Sequence, residues 1–186
     1  MNETIGTILT RRSVRTFDSR QVSDENVDLI VKSGQFAPSA RNTQPWHFTV
    51  VQNKVLIDSI SEAVKRLVLS SGDKAAIARV GDSYHVFHRA PTVIFVSGCD
   101  SFYTECDCGT ATNNMALAAH SLGLSSCIIA SYNRLFRSDN FNSSEYLDAL
   151  NIPTGYTPIF SLSLGYNSDS DPAAPERIEN RINYIK

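Results

Sequence analysis

Three guanidinium groups and one hydroxyl fall within five residues in the run Arg11-Arg12-Ser13-Val14-Arg15-Thr16-Phe17. A second run, Ala37-Pro38-Ser39-Ala40-Arg41-Asn42-Thr43-Gln44-Pro45-Trp46, sets Ser39, Asn42 and Gln44 in a turn-rich segment. Guanidinium is permanently charged and offers paired donors, which suits a phosphate. The amide of Gln44 can both donate and accept along the edge of a ring. Together the two runs read as two walls for a ligand that is flat, polar along one edge and phosphorylated at one end.

Each of these residues also has an ordinary explanation. Arginines at the end of a helix interact favourably with its last carbonyls, by roughly 0.3–1 kcal/mol each. Taken alone, the arginine cluster is better explained that way. Ser39 and Asn42 follow a proline, where both are common turn formers, and Trp46 reads as a core or interface residue. Cys106-Asp107-Cys108 has the look of a metal motif, but Cys99 and Cys127 supply no second pair at metal-ligand spacing. We expect no metal site, and Asp107 is expected to help cap a helix start. His47, His85, His88 and His120 form neither a triad nor a ligand spacing. No carboxylate pair has hydrolase placement, so no side-chain nucleophile or acid is assigned.

The elements that must position these residues follow from periodicity. Residues 3–12 read as a helix with Ile5, Ile8 and Leu9 on one face. Ser23 is a candidate N-cap for a second helix with Val27, Ile30, Val31 and Gly34 inward, and Pro38 blocks its continuation. Trp46–Val51 is strand-like. A helix from Lys54 would bury Leu56, Ile60, Val64, Leu67 and Val68. Residues 70–85 are rich in small and polar residues and suggest a mobile segment or a short helix. Pro91–Val96 is a continuous apolar run, as expected of a strand covered on both faces. Residues 107–122 form an apolar central helix, Ser125–Ala130 and Ile159–Tyr166 two more strands, and Phe141–Leu150 a short helix. Residues 169–186 form a C-terminal arm, and its Ile178, Ile182 and Ile185 imply packing against something.

At 186 residues, with 42% hydrophobic and 19% charged content, the chain reads as one globular domain spanning 1–186. A net charge of −2 argues against nucleic-acid and anionic-membrane partners. There is no apolar run of spanning length and no signal-peptide pattern, and four cysteines make no disulfide framework. A cytoplasmic location with reduced thiols is expected.

In order from residue 11 to residue 166, the chain resembles the nitroreductase family of FMN-dependent oxidoreductases, specifically its shorter members. The pieces are Arg11-Arg12-Ser13-x-Arg15-x-Phe17, Ala37-Pro38-Ser39-x-x-Asn42-x-Gln44-Pro45-Trp46, Ala90-Pro91-x-Val93-Ile94, Asp107-x-Gly109-x-Ala111-x-x-Asn114-Met115, Leu122-Gly123-Leu124-x-Ser126-Cys127 and Leu164-Gly165-Tyr166. With this ordered set in place, a binding role for the arginines outweighs the helix-end role. The resemblance implies an α+β fold, with a central, mostly antiparallel mixed sheet wrapped by helices, assembled as an intertwined homodimer with FMN at the interface. It implies that Arg11, Arg12, Ser13 and Arg15 hold phosphate, ribityl chain and pyrimidine edge, with Arg12 or Arg15 at the N1–C2=O edge. Pro38, Ser39, Ala40, Asn42 and Gln44 would approach from the other subunit or from above the ring. Backbone at Cys127, Ile128, Ile129 and Ala130 would line the opposite face, and Arg177 would reach the phosphate. Many relatives carry Gly at the position of Ala130, a change that costs little if φ there is negative. The implied activity passes electrons from NADH or NADPH through flavin N5 to a nitroaromatic, quinone or similar small-molecule acceptor, by a ping-pong mechanism. Alternatives on the same fold are enone reduction, dehalogenation, flavin fragmentation, or FMN binding without catalysis.

Overall fold

A computed structural model describes residues 2–138 and 141–186. Helix α1 (Glu3–Thr10) is capped by Asn2, whose side chain accepts the N–H of Ile5 at 2.9 Å. It stops two residues before the expected end because Arg11 turns extended, with ψ 134°. Helix α2 (Asp24–Gln35) starts at Ser23 as expected and buries Val27, Ile30 and Gly34. Strand β1 (Trp46–Val51), helix α3 (Lys54–Ser70), the short helix α4 (Lys74–Ile77) and strand β2 (Thr92–Cys99) follow. Then come α5 (Thr104–Ser121), β3 (Ser125–Ile129), α6 (Ser144–Ala149) and β4 (Tyr156–Gly165).

The four strands lie in the order β1-β2-β4-β3, every neighbouring pair antiparallel. A parallel bridge from Ser13 to Ser126 lays the N-terminal segment along the β3 edge. The α+β architecture is therefore the expected one. On β2, side chains alternate between two cores: Val93 and Phe95 join α3, and Ile94 and Val96 join α2 and α5. Each such buried side chain contributes about 1.5–3 kcal/mol, so sandwiching β2 fixes the layers.

β4 begins three residues earlier than its apolar run and includes Pro158, which cannot donate to a ladder. The register between β2 and β4 shifts at Val96/Ser97, next to the Ser97–Pro158 pair, and this bulge absorbs the missing donor. The inner stripe of α3 is rotated from the expected one. Ile57, Ile60, Ser61, Val64 and Val68 are buried, whereas Leu56 and Leu67 sit on the flank. Ser61 can occupy this stripe because its hydroxyl accepts the N–H of Val86 at 3.0 Å.

Apolar side chains of α1 and of the arm find no cover among the described residues. Helix α1 buries nothing, and Ile5, Ile8 and Leu9 are exposed. In the arm, Ile178, Ile182 and Ile185 are 75%, 71% and 98% exposed, so the packing expected of them does not occur within the chain.

Candidate functional site

Nine of the fourteen predicted residues distribute over three concavities, at opposite edges of the sheet. A cavity of about 720 Å3 beside β3 is lined by Arg15, Cys127, Ile128, Ile129 and Ala130 together with Arg79, Tyr84, His85, His88 and Arg89. A small recess next to it brings Arg11 and Arg12 to Ser125, Ser126 and His120. Asn42 and Gln44 line another cavity, of about 790 Å3, with Trp46, His47 and Phe48 of β1. Since β1 and β3 are the two outer strands of four, roughly 14 Å of sheet separates them.

The N-terminal segment is fixed by backbone. Val14 donates its N–H to the Ser126 carbonyl at 3.0 Å, which holds Ser13 at the sheet edge and lets its arginine neighbours project beside β3. The three arginines then differ. Arg12 folds back, and its Nη1 donates to the carbonyls of Leu9 and Arg11 at 2.8 Å each, the helix-end role weighed from sequence. Arg15 reaches the cavity and keeps only a 3.4 Å bond to the Ser13 carbonyl. Arg11 Nη1 is buried and has no hydrogen-bond partner among the described residues. A buried guanidinium nitrogen left unpaired is costly, and an anionic ligand oxygen would satisfy it.

Burial pushes the Cys127 thiol up, against the opposing pull of the Arg15 and Arg11 charges nearby. Cys127 therefore belongs to the wall as a neutral, packed side chain. Ala130 has φ −106° and ψ −25°, so its methyl group is accommodated without strain.

The second run is held in an unusual backbone. Arg41, Asn42 and Gln44 all have positive φ, at 55°, 56° and 47°. Non-glycine residues seldom adopt this region, and such strained residues cluster at ligand sites. Ser39 Oγ accepts the Gln44 N–H at 3.0 Å, and Gln44 Nε2 donates to Asn42 Oδ1 at 3.2 Å. Ser39 thus holds the turn, and neither it nor Pro38 and Ala40 lines any of these three cavities. Ala40 instead donates its N–H to both oxygens of Asp107 at 3.2 Å. This corrects the capping role expected of Asp107: α5 starts earlier, at Thr104, and the carboxylate is spent on the loop. Cys106 is exposed and Cys108 buried, so the two thiols of that motif face different surroundings.

Arg177 is exposed in the arm and lines none of the cavities. Arg79, Ser83, Tyr84, His85, His88 and Arg89 carry no sequence signal of a binding role. They lie in the irregular turns that follow α4, where periodicity is silent. The one clue is the crowding of His85, His88 and Arg89 just before Ala90-Pro91.

A model of the nitroreductase family matches residues 8–166. The chain belongs to the nitroreductase family. Within that family, a nitroreductase with bound FMN from Bacteroides fragilis superposes with a TM-score of 0.90 at 31% identity, over 100% of both chains. One from Desulfitobacterium hafniense, also with bound FMN, gives a TM-score of 0.91 at 29% identity, again over 100% of both. An FMN reductase [NAD(P)H] of Bacillus subtilis is 27% identical over 99% of this chain and 74% of its own length. The four-stranded antiparallel sheet with flanking helices is thus the family architecture.

Proposed function

We propose that this chain is an FMN-dependent oxidoreductase that takes electrons from NADH or NADPH and delivers them to a small acceptor such as a nitroaromatic or quinone. The observation that carries this is the Nη1 of Arg11, buried and without a partner among the described residues, in the recess next to the β3 cavity, in a chain whose similar solved structures hold FMN. Arg11 suits the phosphate. Arg15 is left free to face the N1–C2=O edge, whereas Arg12 is occupied at the end of α1. Ser13 fixes the segment through its bridge, and backbone from Cys127 to Ala130 lines one face.

When bound, FMN supplies a two-electron relay at N5 between the reduced nicotinamide and the acceptor. The protein's contribution is orientation and charge. A fixed guanidinium at the pyrimidine edge favours the form of the ring that carries negative charge there. Donor and acceptor using one slot in turn gives ping-pong kinetics, and no side-chain nucleophile is required.

The proposal includes a homodimer. The cavity with Gln44 and the cavity with Arg15 lie at opposite sheet edges, so one ligand meets both walls when they come from two copies. The exposed face of α1 and the isoleucines of the arm supply apolar surface for that contact. In the dimer the arm carries Arg177 over the second copy, where it can reach a phosphate.

The test is an anaerobic absorbance spectrum of the purified protein reconstituted with FMN, before and after NADH or NADPH. Bleaching of the flavin bands supports the proposal, and re-oxidation by a nitroaromatic or a quinone defines the acceptor class. A bound flavin that neither nicotinamide reduces would leave a binding protein. Failure to bind FMN would overturn the reading.

A further inference from the structure

One wall of the Arg15 cavity is a tight turn, His85 to Ala90, that lies outside the helices and strands. Its residues His88 and Arg89 both sit in the left-handed region, with φ 55° and 56°. Two adjacent non-glycine residues there persist only where the surroundings hold them. What holds them is the imidazole of His85. Its Nδ1 accepts two backbone N–H groups, from Phe87 at 3.2 Å and from Arg89 at 3.1 Å. Its Nε2 faces Asp58 Oδ1 at 3.2 Å, and the His85 side chain is 7% exposed. The His85 carbonyl accepts the His88 N–H at 2.9 Å, and Ser163 Oγ donates to the Phe87 carbonyl at 3.0 Å.

This pattern dictates a tautomer. An atom that accepts two N–H donors must present its lone pair, so Nδ1 carries no proton and Nε2–H donates to Asp58. Protonating Nδ1 would turn an acceptor into a donor aimed at two other donors. We propose that His85, oriented by Asp58, is a positioning residue that locks the His88–Arg89 wall of the cofactor cavity, and that the lock holds only while its imidazole is neutral. The functional half of this proposal rests on the cavity being the FMN site.

The charged surroundings agree. Burial disfavours the imidazolium of His85, and nearby Arg89 and Lys54 add to that, while Asp58 opposes it. His88, on the same turn, is pushed down by burial and by Arg15 and His85. Lys54 is paired with Asp58, so the carboxylate that orients His85 is itself held. Burial pushes the Asp58 carboxyl up, but the bonds from Lys54 and His85 outweigh this and leave it below its ordinary value.

The experiment uses the full chain with two variants. His85→Phe keeps a flat ring and removes the acceptor. His85→Asn places Oδ1 where Nδ1 was and restores the acceptor without a titratable group. First, nitrogen-15 spectra of the wild-type imidazole near pH 7.5 should show Nδ1 unprotonated and Nε2 protonated; a proton on Nδ1 overturns the lock. Second, FMN titration should give a dissociation constant about tenfold higher for His85→Phe, in line with other outer-shell orienting residues. His85→Asn should restore it to near the wild-type value and remove its rise below pH 6.5, the ordinary histidine value. Wild-type affinity in His85→Phe overturns the proposal. Should the wild type bind no FMN, the flavoenzyme function fails by itself. Amide exchange at Phe87 and Arg89 then decides the lock: faster exchange in His85→Phe than in wild type supports it, and equal exchange overturns it.

Discussion

Asp107 on α5 accepts the N–H of Ala40 through both carboxylate oxygens, at 3.2 Å each, across 67 positions of chain. Asp107 is 5% exposed, so this is a desolvated anchor between the central helix and the loop that carries Asn42 and Gln44. The Thr110 hydroxyl lies at the same junction, 2.7 Å from the Asp107 carbonyl and 3.3 Å from that of Pro38. Asp107→Ala should cost about 1.5–3 kcal/mol, the range for a hydrogen bond to a charged group. Urea unfolding followed by circular dichroism checks this. A midpoint equal to the wild type would mean that the loop stands without its anchor.

Arg11 should behave in the opposite sense. Because its buried Nη1 has no partner among the described residues, Arg11→Met removes an uncompensated polar group and keeps apolar bulk. The apoprotein should be as stable as wild type or more so, while FMN retention falls by at least about tenfold, as expected for loss of a charge-assisted phosphate contact. Parallel thermal melts and flavin titration separate the two effects. A variant that loses stability and keeps FMN would place Arg11 in the scaffold.

Arg12 offers the contrast. Its bonds to the Leu9 and Arg11 carbonyls give Arg12→Ala a stability loss of about 0.3–1 kcal/mol with little change in flavin affinity. The same melts and titrations measure it, and a large affinity loss would return Arg12 to the binding wall.

The thiols should separate cleanly under alkylation. The buried Cys108 thiol is pushed up to about 12 by desolvation, with Asp107 and Cys99 adding to it. Near pH 8 its thiolate fraction is on the order of one in ten thousand, and burial blocks access as well. Iodoacetamide followed by peptide mass mapping should label exposed Cys106 and spare Cys108 until denaturant is added. Labelling of native Cys108 would show that α5 opens locally.

Acid should weaken the fold through His85 and His88. Both are pushed below the ordinary value of 6.5, chiefly by burial. The unfolded chain therefore binds more protons than the native one in that window. Stability contributed by the neutral rings is full above pH 6.5 and is lost as pH falls through their folded values. Melting temperature across pH 7.5 to 5 should decline, and His85→Asn should flatten part of the decline. An invariant melting temperature would contradict the burial of both rings.

How much of this was legible in the sequence depended on which force fixed each element. The run Pro91–Val96 announced β2 because a strand covered on both faces needs apolar residues without alternation. Ser23 and Pro38 bracketed α2 through local backbone rules, and the ordered motifs carried the family. Rotation of α3 was hidden because Ser61 looks like a surface residue until Val86 is known to donate to it. The roles of Asp107 and His85 were hidden for the same reason. Each satisfies backbone donors that only the tertiary fold brings near, and no spacing rule encodes such partners. The residues from Arg79 to Arg89 left no periodic trace because they form turns, one of them held by an imidazole, and turns have no period.

The separation of the walls at Arg15 and Gln44 has a genetic consequence. In the proposed dimer, each complete site draws one wall from each copy, so a lesion in either wall of one chain damages both sites only when its partner carries the same lesion. Co-expression of a chain altered at Arg11 with one altered at Gln44 would yield mixed dimers in which one site collects both lesions and the other is intact. Two inactive alleles would then complement each other, with recovery limited to half of the sites in each mixed pair.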